Sequence, residues 1–494
     1  MIEQMRQKLK QILAVVASIA LVVSGASVWL LNHLETSSTD TAGNGDGVYE
    51  GLTDGLILHA FCWSFDTIRE HLPDIAAAGY TAVQTSPINA VNDTHPAMKL
   101  MGSSGDGSDG AWWWHYQPTD WKIGNYQLGT REEFQTMCTE AERYGIKIIV
   151  DVVPNHTTTA LDQVSADLIQ AASGQLYHPT GLSDISDYGS RYDCTRKMMG
   201  GLPDVDTENT GFQDYFIAYL NDCIACGADG FRYDTAKHIG LPDDPTDEGV
   251  NNNFWNRVTT EITDAGRIFN YGEVLQGANE RVEDYIATIG STCTSYYGEA
   301  IRNAVMDRSV TVSNVMDYKV GSAPTKNLVT WVESHDNYIN DGTWSQLDDN
   351  QVKLAWAIIA ARQDGIPLFF DRPYGGGPSN MWGTVNQIGV AGSDLYKSED
   401  VVAVNYFRKA MAQGSNSEYL RNPNGDTNVL MIERGNAGVV IVNTKDSDYY
   451  VDSDTNLADG TYENRAADGG TFTVRDGHIT GTIPQRGIAV LYQD

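Results

Sequence analysis

Gly230-Phe231-Arg232-Tyr233-Asp234-Thr235-Ala236-Lys237-His238 is the stretch on which the reading of this chain turns. Its aromatic opening has the composition of a buried strand. It ends in a carboxylate and two basic side chains, so charge collects where the strand stops. Arg232 and Asp234 are two residues apart and point to the same side of an extended chain, where the fixed cation holds the carboxylate ionised and limits its pKa. Three further stretches repeat the form: Asp151-Val152-Val153-Pro154-Asn155-His156, Tyr271-Gly272-Glu273-Val274 and Glu333-Ser334-His335-Asp336-Asn337. A single strand-end Asp is explained by capping of the next helix. Four such endings in order require another reason.

Outward from these clusters, short apolar runs alternate with helix-period segments. Strand candidates are residues 56–63, 81–86, 147–153, 230–234, 268–273, 294–297, 328–334 and 366–370, the sixth being the weakest. Residues 131–144, 212–226 and 351–362 carry one apolar face at helical spacing. This alternation predicts an α/β fold, a (β/α)8 TIM barrel over residues 54–403 with its catalytic groups at the C-terminal ends of the strands. Residues 156–203 are rich in Ser, Gly, Asp and Tyr and break the pattern, which predicts an inserted subdomain after strand three. From residue 404 to 494, short alternating runs separated by Asn-Gly, Asp-Gly and Gly-Gly turns predict an antiparallel β-sandwich.

The balance of charge narrows the partners. Acidic residues outnumber basic ones by 65 to 33, a net charge of -32 that repels phosphate backbones, so nucleic acid is not expected. Arg6, Lys8 and Lys10 precede an uncharged apolar run at residues 12–31. Residues 1–34 therefore read as an export signal or a membrane anchor, followed by a polar tether at 35–53, and the bulk of the protein is expected outside the cell, secreted or anchored at its surface. The six cysteines form no compact framework. Cys62 falls in a strand-like run and Cys138, Cys223 and Cys226 in helix-like ones, where they read as small buried hydrophobes rather than as a zinc or redox CxxC.

The four clusters together resemble the ordered signature motifs of the α-amylase family of glycoside hydrolases, over residues 54–494. The likeness to secreted bacterial members is carried also by Leu58-His59-Ala60-Phe61-Cys62-Trp63-Ser64-Phe65, Gln84-Thr85-Ser86-Pro87-Ile88 and Trp331-Val332-Glu333-Ser334-His335-Asp336. The resemblance implies endo-hydrolysis of α-1,4-glucosidic bonds in starch and malto-oligosaccharides by a retaining double displacement. Asp234 would be the nucleophile, Glu273 the general acid and base, its pKa raised by repulsion from Asp234 and Asp336, and Asp336 the residue that holds the distorted ring. Trp113 and Tyr116 would stack on sugar rings. Gln117, His156, Arg232 and His335 would contact the substrate around the cleaved bond, with Lys237 and His238 on the leaving-group side.

A structural calcium is implied as well, held by the Asn155 and Asp204 side chains and the carbonyls of Thr195 and His238. Some relatives bind chloride through two basic residues and an Asn. Arg232 and Arg372 could supply the charge, but Ser334 stands in place of the Asn, which puts chloride activation in doubt. The chain is expected to act as a monomer. A transglycosylase, a debranching enzyme, or a non-catalytic glucan-binding protein on the same scaffold are the alternatives.

Overall fold

The computed structural model describes residues 52, 55–96, 98–102, 112–412 and 417–493. The apolar run at 12–31 and the tether lie outside the described residues. Among the described residues no helix is long and apolar enough to cross a membrane.

Eight parallel strands close a barrel in sequence order: β1 (Ile57–Ala60), β2 (Ala82–Thr85), β3 (Lys147–Val152), β4 (Gly230–Tyr233), β5 (Phe269–Gly272), β6 (Ser291–Cys293), β7 (Leu328–Trp331) and β8 (Ile366–Phe370), with β8 pairing back onto β1. Parallel neighbours require crossovers, and helices supply them. Their ends are written locally. Thr130 and Glu133 form a reciprocal capping box that starts the helix Arg131–Arg143, and Asp348 with Gln351 does the same for Asp349–Ala361. Asn209 caps Thr210–Cys226, which stops at Gly227 with φ 109°, a left-handed conformation natural to glycine.

The sixth strand is displaced from its expected place. Residues 294–297 do not extend a strand; Thr294 is the N-cap of the helix Ser295–Met306, and β6 lies just before it. Ser291-Thr292-Cys293 is too short and too polar to stand out as an apolar run, which is why the expectation settled on the aromatic pair that follows.

The insert after β3 contains two short helices, Ala166–Ala171 and Arg191–Arg196. Arg191 binds Asp244 at 2.5 Å and Tyr285 at 2.7 Å, and Arg196 reaches Asn252 at 2.6 Å, so cations on the insert's second helix stitch it to the loop beyond β4 and to the helix Val282–Ile289 beyond β5.

Beyond the helix Glu399–Ala412 come two four-stranded antiparallel sheets, β16-β11-β10-β9 and β12-β15-β14-β13. They comprise β9 (Glu418–Arg421), β10 (Val429–Arg434), β11 (Gly438–Asn443), β12 (Tyr449–Asp454), β13 (Gly460–Glu463), β14 (Thr471–Arg475), β15 (His478–Ile483) and β16 (Ile488–Tyr492). Period-two alternation divides the first sheet's side chains between two cores. Leu430, Ile432, Val440 and Val442 join the core of the barrel, while Val429, Met431, Val439 and Ile441 meet Val451, Phe472 and Ile479 of the second sheet. The first sheet is buried on both faces and the second on one, giving a sandwich seated on the barrel wall.

Candidate active site

The ends of β3, β4, β5 and β7 bring their carboxylates to one mouth of the barrel. Asp151 lies within β3, Asp234 directly follows β4, Glu273 directly follows β5, and Asp336 sits in the first turn of the helix His335–Ile339 that follows β7. Ser334 caps that helix, its Oγ accepting from the Asn337 N–H at 3.2 Å. A cleft of about 250 Å³ is lined by Asp234, Glu273 and Asp336 together with Trp113, Tyr116, Gln117, His156 and His335.

Arg232 organises this mouth. Its Nη1 donates to Asp151 Oδ1 at 2.8 Å and to Asp234 Oδ1 at 2.7 Å, and its Nη2 lies 2.5 Å from Glu273 Oε1. One buried guanidinium thus serves three buried carboxylates. Glu273 receives a second donor on its other oxygen, the backbone N–H of Thr235 at 3.0 Å. Thr235 has φ 45°, a left-handed conformation that a β-branched residue adopts at a cost of about 1–3 kcal/mol. The turn aims that N–H from the end of β4 across to the end of β5.

Burial is the first influence on the carboxyl groups. It raises the Glu273 pKa to about 6, with Arg232 drawing it back and Asp234 and Asp336 adding to the rise. The expectation that like-charge repulsion leads is corrected: in a pocket this enclosed, loss of hydration outweighs the neighbouring anions. Burial also raises Asp234, and Arg232 opposes it. The imidazoles are held neutral by the same cause, His335 at about 3 and His156 at about 4. They serve as uncharged hydrogen-bonding groups throughout the neutral range.

Around the carboxylates is an aromatic wall. Tyr116 and His335 stack with ring centres 4.8 Å apart, and Trp112 meets His335 edge-on at 5.8 Å. Of the three consecutive tryptophans, Trp114 is buried whereas Trp112 and Trp113 remain partly open to the cleft. Lys237 and His238 do not line the cleft itself. Lys237 Nζ donates to Leu275 O at 3.2 Å, and His238 turns its Nδ1 to Cys194 O at 2.9 Å, facing the insert.

Asp151 was quoted in the sequence without a role. The structure makes it the third carboxyl on Arg232 and the acceptor for the Tyr116 hydroxyl at 2.9 Å, with its pKa pushed up by burial to about 8. A charged residue two short of a strand's end was the available signal. Trp112, Met199, Leu202 and Asn340 also line the cleft and were not singled out; only tertiary packing carries loop residues of that kind to the rim.

The chain segments that carry the oxygen donors implied for calcium run side by side. Val205 N–H donates to Asn155 O at 2.9 Å and His156 pairs with Asp204 in an antiparallel bridge, so Asn155 and Asp204 adjoin. The His238–Cys194 bond draws the loop after β4 to the last turn of Arg191–Arg196, where Thr195 lies. Two side-chain oxygens and two carbonyls are donor types that a hard cation takes, and His178 Nδ1 lies 2.6 Å from Asp204 Oδ2, leaving Oδ1 as the oxygen Asp204 would offer. On the far side of Asp204, His178, Asp206 and Glu208 bring ligand atoms within 4.8 Å of one another. There the Arg196 guanidinium already pairs with Glu208, and His178 Nδ1 lies 2.6 Å from Asp204 Oδ2, so the cluster has its own cation.

Chloride is a poor fit. Arg232 is occupied by three carboxylates, Arg372 binds Glu333 at 2.8 Å, and the Ser334 hydroxyl caps its helix.

A closed parallel barrel with buried carboxylates converging on an open, aromatic-walled cleft defines a (β/α)8 protein equipped for acid–base chemistry. Residues 40–351 match the family described as alpha amylase, catalytic domain, and residues 419–494 match alpha amylase, C-terminal all-beta domain. The chain belongs to the alpha-amylase family. It is 48% identical over 474 residues to an alpha-amylase of Butyrivibrio fibrisolvens, covering 90% of this chain and 47% of that protein. An alpha-amylase of Clostridium acetobutylicum is 39% identical over 453 residues, covering 90% of this chain and 54% of the relative. The chain thus spans about half the length of these curated relatives. Its fold is shared with an alpha-amylase I mutant of Eisenia fetida solved in complex with maltohexaose, at TM-score 0.70 and 19% identity, covering 89% of this chain and 97% of that one.

Proposed function

We propose that this chain hydrolyses internal α-1,4-glucosidic bonds of starch and malto-oligosaccharides with retention of the anomeric configuration. The observation that carries the reading is the Arg232 fork spanning Asp234 and Glu273. It holds one carboxylate as an anion for attack and keeps the other beside it, poised near neutrality. Asp234 attacks the anomeric carbon while Glu273 gives its proton to the leaving glycosidic oxygen. The resulting glycosyl-enzyme is opened by a water molecule from which Glu273 takes a proton back. Asp336 engages the ring hydroxyls in the same cleft. Trp113 and Tyr116 offer apolar faces to the sugar, Gln117, His156 and His335 offer hydrogen bonds, and Lys237 and His238, set back from the cleft, would meet the leaving-group side only with a longer glucan bound.

Asn155, Thr195, Asp204 and His238 would hold calcium, which on binding supplies charge that fixes the insert against the barrel. The chain's own residues carry every proton and covalent step. The maltohexaose complex of the Eisenia fetida relative supports an α-glucan ligand. Export to the cell exterior, as a released or anchored protein, is proposed from the basic residues ahead of the apolar run at 12–31.

Incubation with soluble starch and with pullulan, following iodine staining, reducing ends and product anomer, tests the reading. Iodine colour should be lost well ahead of free-sugar release, and the first products should be α-anomers. Cleavage confined to the branch-type linkages of pullulan would instead identify a debranching enzyme. Binding of glucan with no cleavage would identify a non-catalytic protein.

A further inference from the structure

At the opposite mouth of the barrel from the carboxylates lies a second cavity, of about 400 Å³, where residues leading into β3, β4 and β5 meet the outer helices. Cys138 and Cys226 both line it. Cys138 lies on the helix Arg131–Arg143 and Cys226 is the last residue of the helix Thr210–Cys226. Gly227 brings the two together: a Cβ placed on it would stand 2.9 Å from the Cys138 Cβ. Cys226 is therefore one residue's step from Cys138, on the neighbouring helix. All six cysteines are free thiols in the structure, and these two alone keep any exposure, 3% each against 0% for Cys62, Cys194, Cys223 and Cys293.

We propose that Cys138 and Cys226 are a disulfide-forming pair, closed by exchange with a small oxidised disulfide such as oxidised glutathione, and that the bridge clamps the helix before β3 to the helix before β4. The cavity admits the oxidant to the sulfurs. Cys226 loses its proton and its thiolate attacks one sulfur of the small disulfide, releasing one thiolate and leaving a mixed disulfide on Cys226. The Cys138 thiolate then attacks the Cys226 sulfur and releases the second small thiol. Two protein thiols are oxidised, and one disulfide is reduced to two thiols, so atoms and electrons balance. Burial holds both thiols up, Cys138 well above its usual value, and at Cys226 the nearby Arg131 guanidinium draws the rise partly back, so Cys226 is the first to react. Cys223, one turn earlier in the CxxC, is sealed in the core and takes no part. The bridge would close a long loop, which constrains the unfolded chain most.

The test does not depend on catalysis. The full chain is incubated with oxidised glutathione, denatured, alkylated and mapped by mass spectrometry without reduction. The expected result is a linked pair of peptides carrying Cys138 and Cys226, four thiols left to alkylate, and a thermal midpoint higher by about 5 °C that dithiothreitol reverses. The linkage should persist in Cys223→Ser and vanish in Cys226→Ser. Six alkylated thiols, a glutathione adduct with no linkage, or a bridge drawn through Cys223 would each overturn the proposal.

Discussion

The Arg232 guanidinium lies 2.5 Å from Glu273 Oε1, so the candidate acid leans on the cation that also holds the candidate nucleophile. Their geometry makes the two carboxylates parts of one charge system. Lysine at this position would keep the charge but lose the fork that reaches Asp151, Asp234 and Glu273 at once. Arg232→Lys should lower kcat on starch about 100-fold or more, and raise the pKa that governs the alkaline side of the pH profile, read from initial rates across pH.

Asp234→Asn and Glu273→Gln should each reduce turnover by several orders of magnitude, and circular dichroism should show the fold intact. The two differ in rescue: azide should restore activity to the variant whose nucleophile is missing only with inverted product stereochemistry, read by NMR of the glycosyl azide. Retained turnover in either variant would remove that residue from the mechanism.

The pH dependence has a definite sign. Burial raises Glu273 from a usual value of 4.5 to about 6, so its proton is available for donation below about pH 6 and is lost as pH rises through that value. The alkaline limb of kcat/KM should fall there, and should be missing from the residual activity of Glu273→Gln. The same shift means that protonation of this group stabilises the fold. That contribution is full below about pH 4.5 and disappears as pH rises through about 6.

Calcium removal should loosen the insert. A chelator is expected to lower stability by about 2–4 kcal/mol, the linkage expected for a site filled at 100 to 1,000 times its dissociation constant, and readded calcium should restore it. Asp204→Ala should abolish the response to calcium in differential scanning calorimetry. An unchanged melting curve in the wild type after chelation would count against the site.

Thr235→Ala separates the hydroxyl from the backbone N–H. The buried Thr235 hydroxyl adjoins the Asp234 carboxyl and helps hold its pKa down, and φ at this residue is 45°. Alanine removes the hydroxyl and the branched Cβ while keeping the N–H that binds Glu273. Stability should change by less than about 1 kcal/mol in urea titration, and the pKa of the nucleophile should rise, read from the acidic limb of kcat/KM.

The sequence by itself determined the alternation of strands and helices, the four polar strand ends and the sandwich, because hydrophobic periodicity and capping are local properties written residue by residue. Asp234, Glu273 and Asp336 could be singled out because each stands where an apolar run stops. The tertiary structure decided what no local pattern contains. Asp151 became a partner of Arg232 only when β3 and β4 lay side by side. Burial overtook charge repulsion at Glu273 because desolvation depends on everything that surrounds a group, and β6 was set by pairing between β5 and β7 rather than by its own three residues. Cys138 and Cys226, 88 positions apart, became neighbours only when their helices packed.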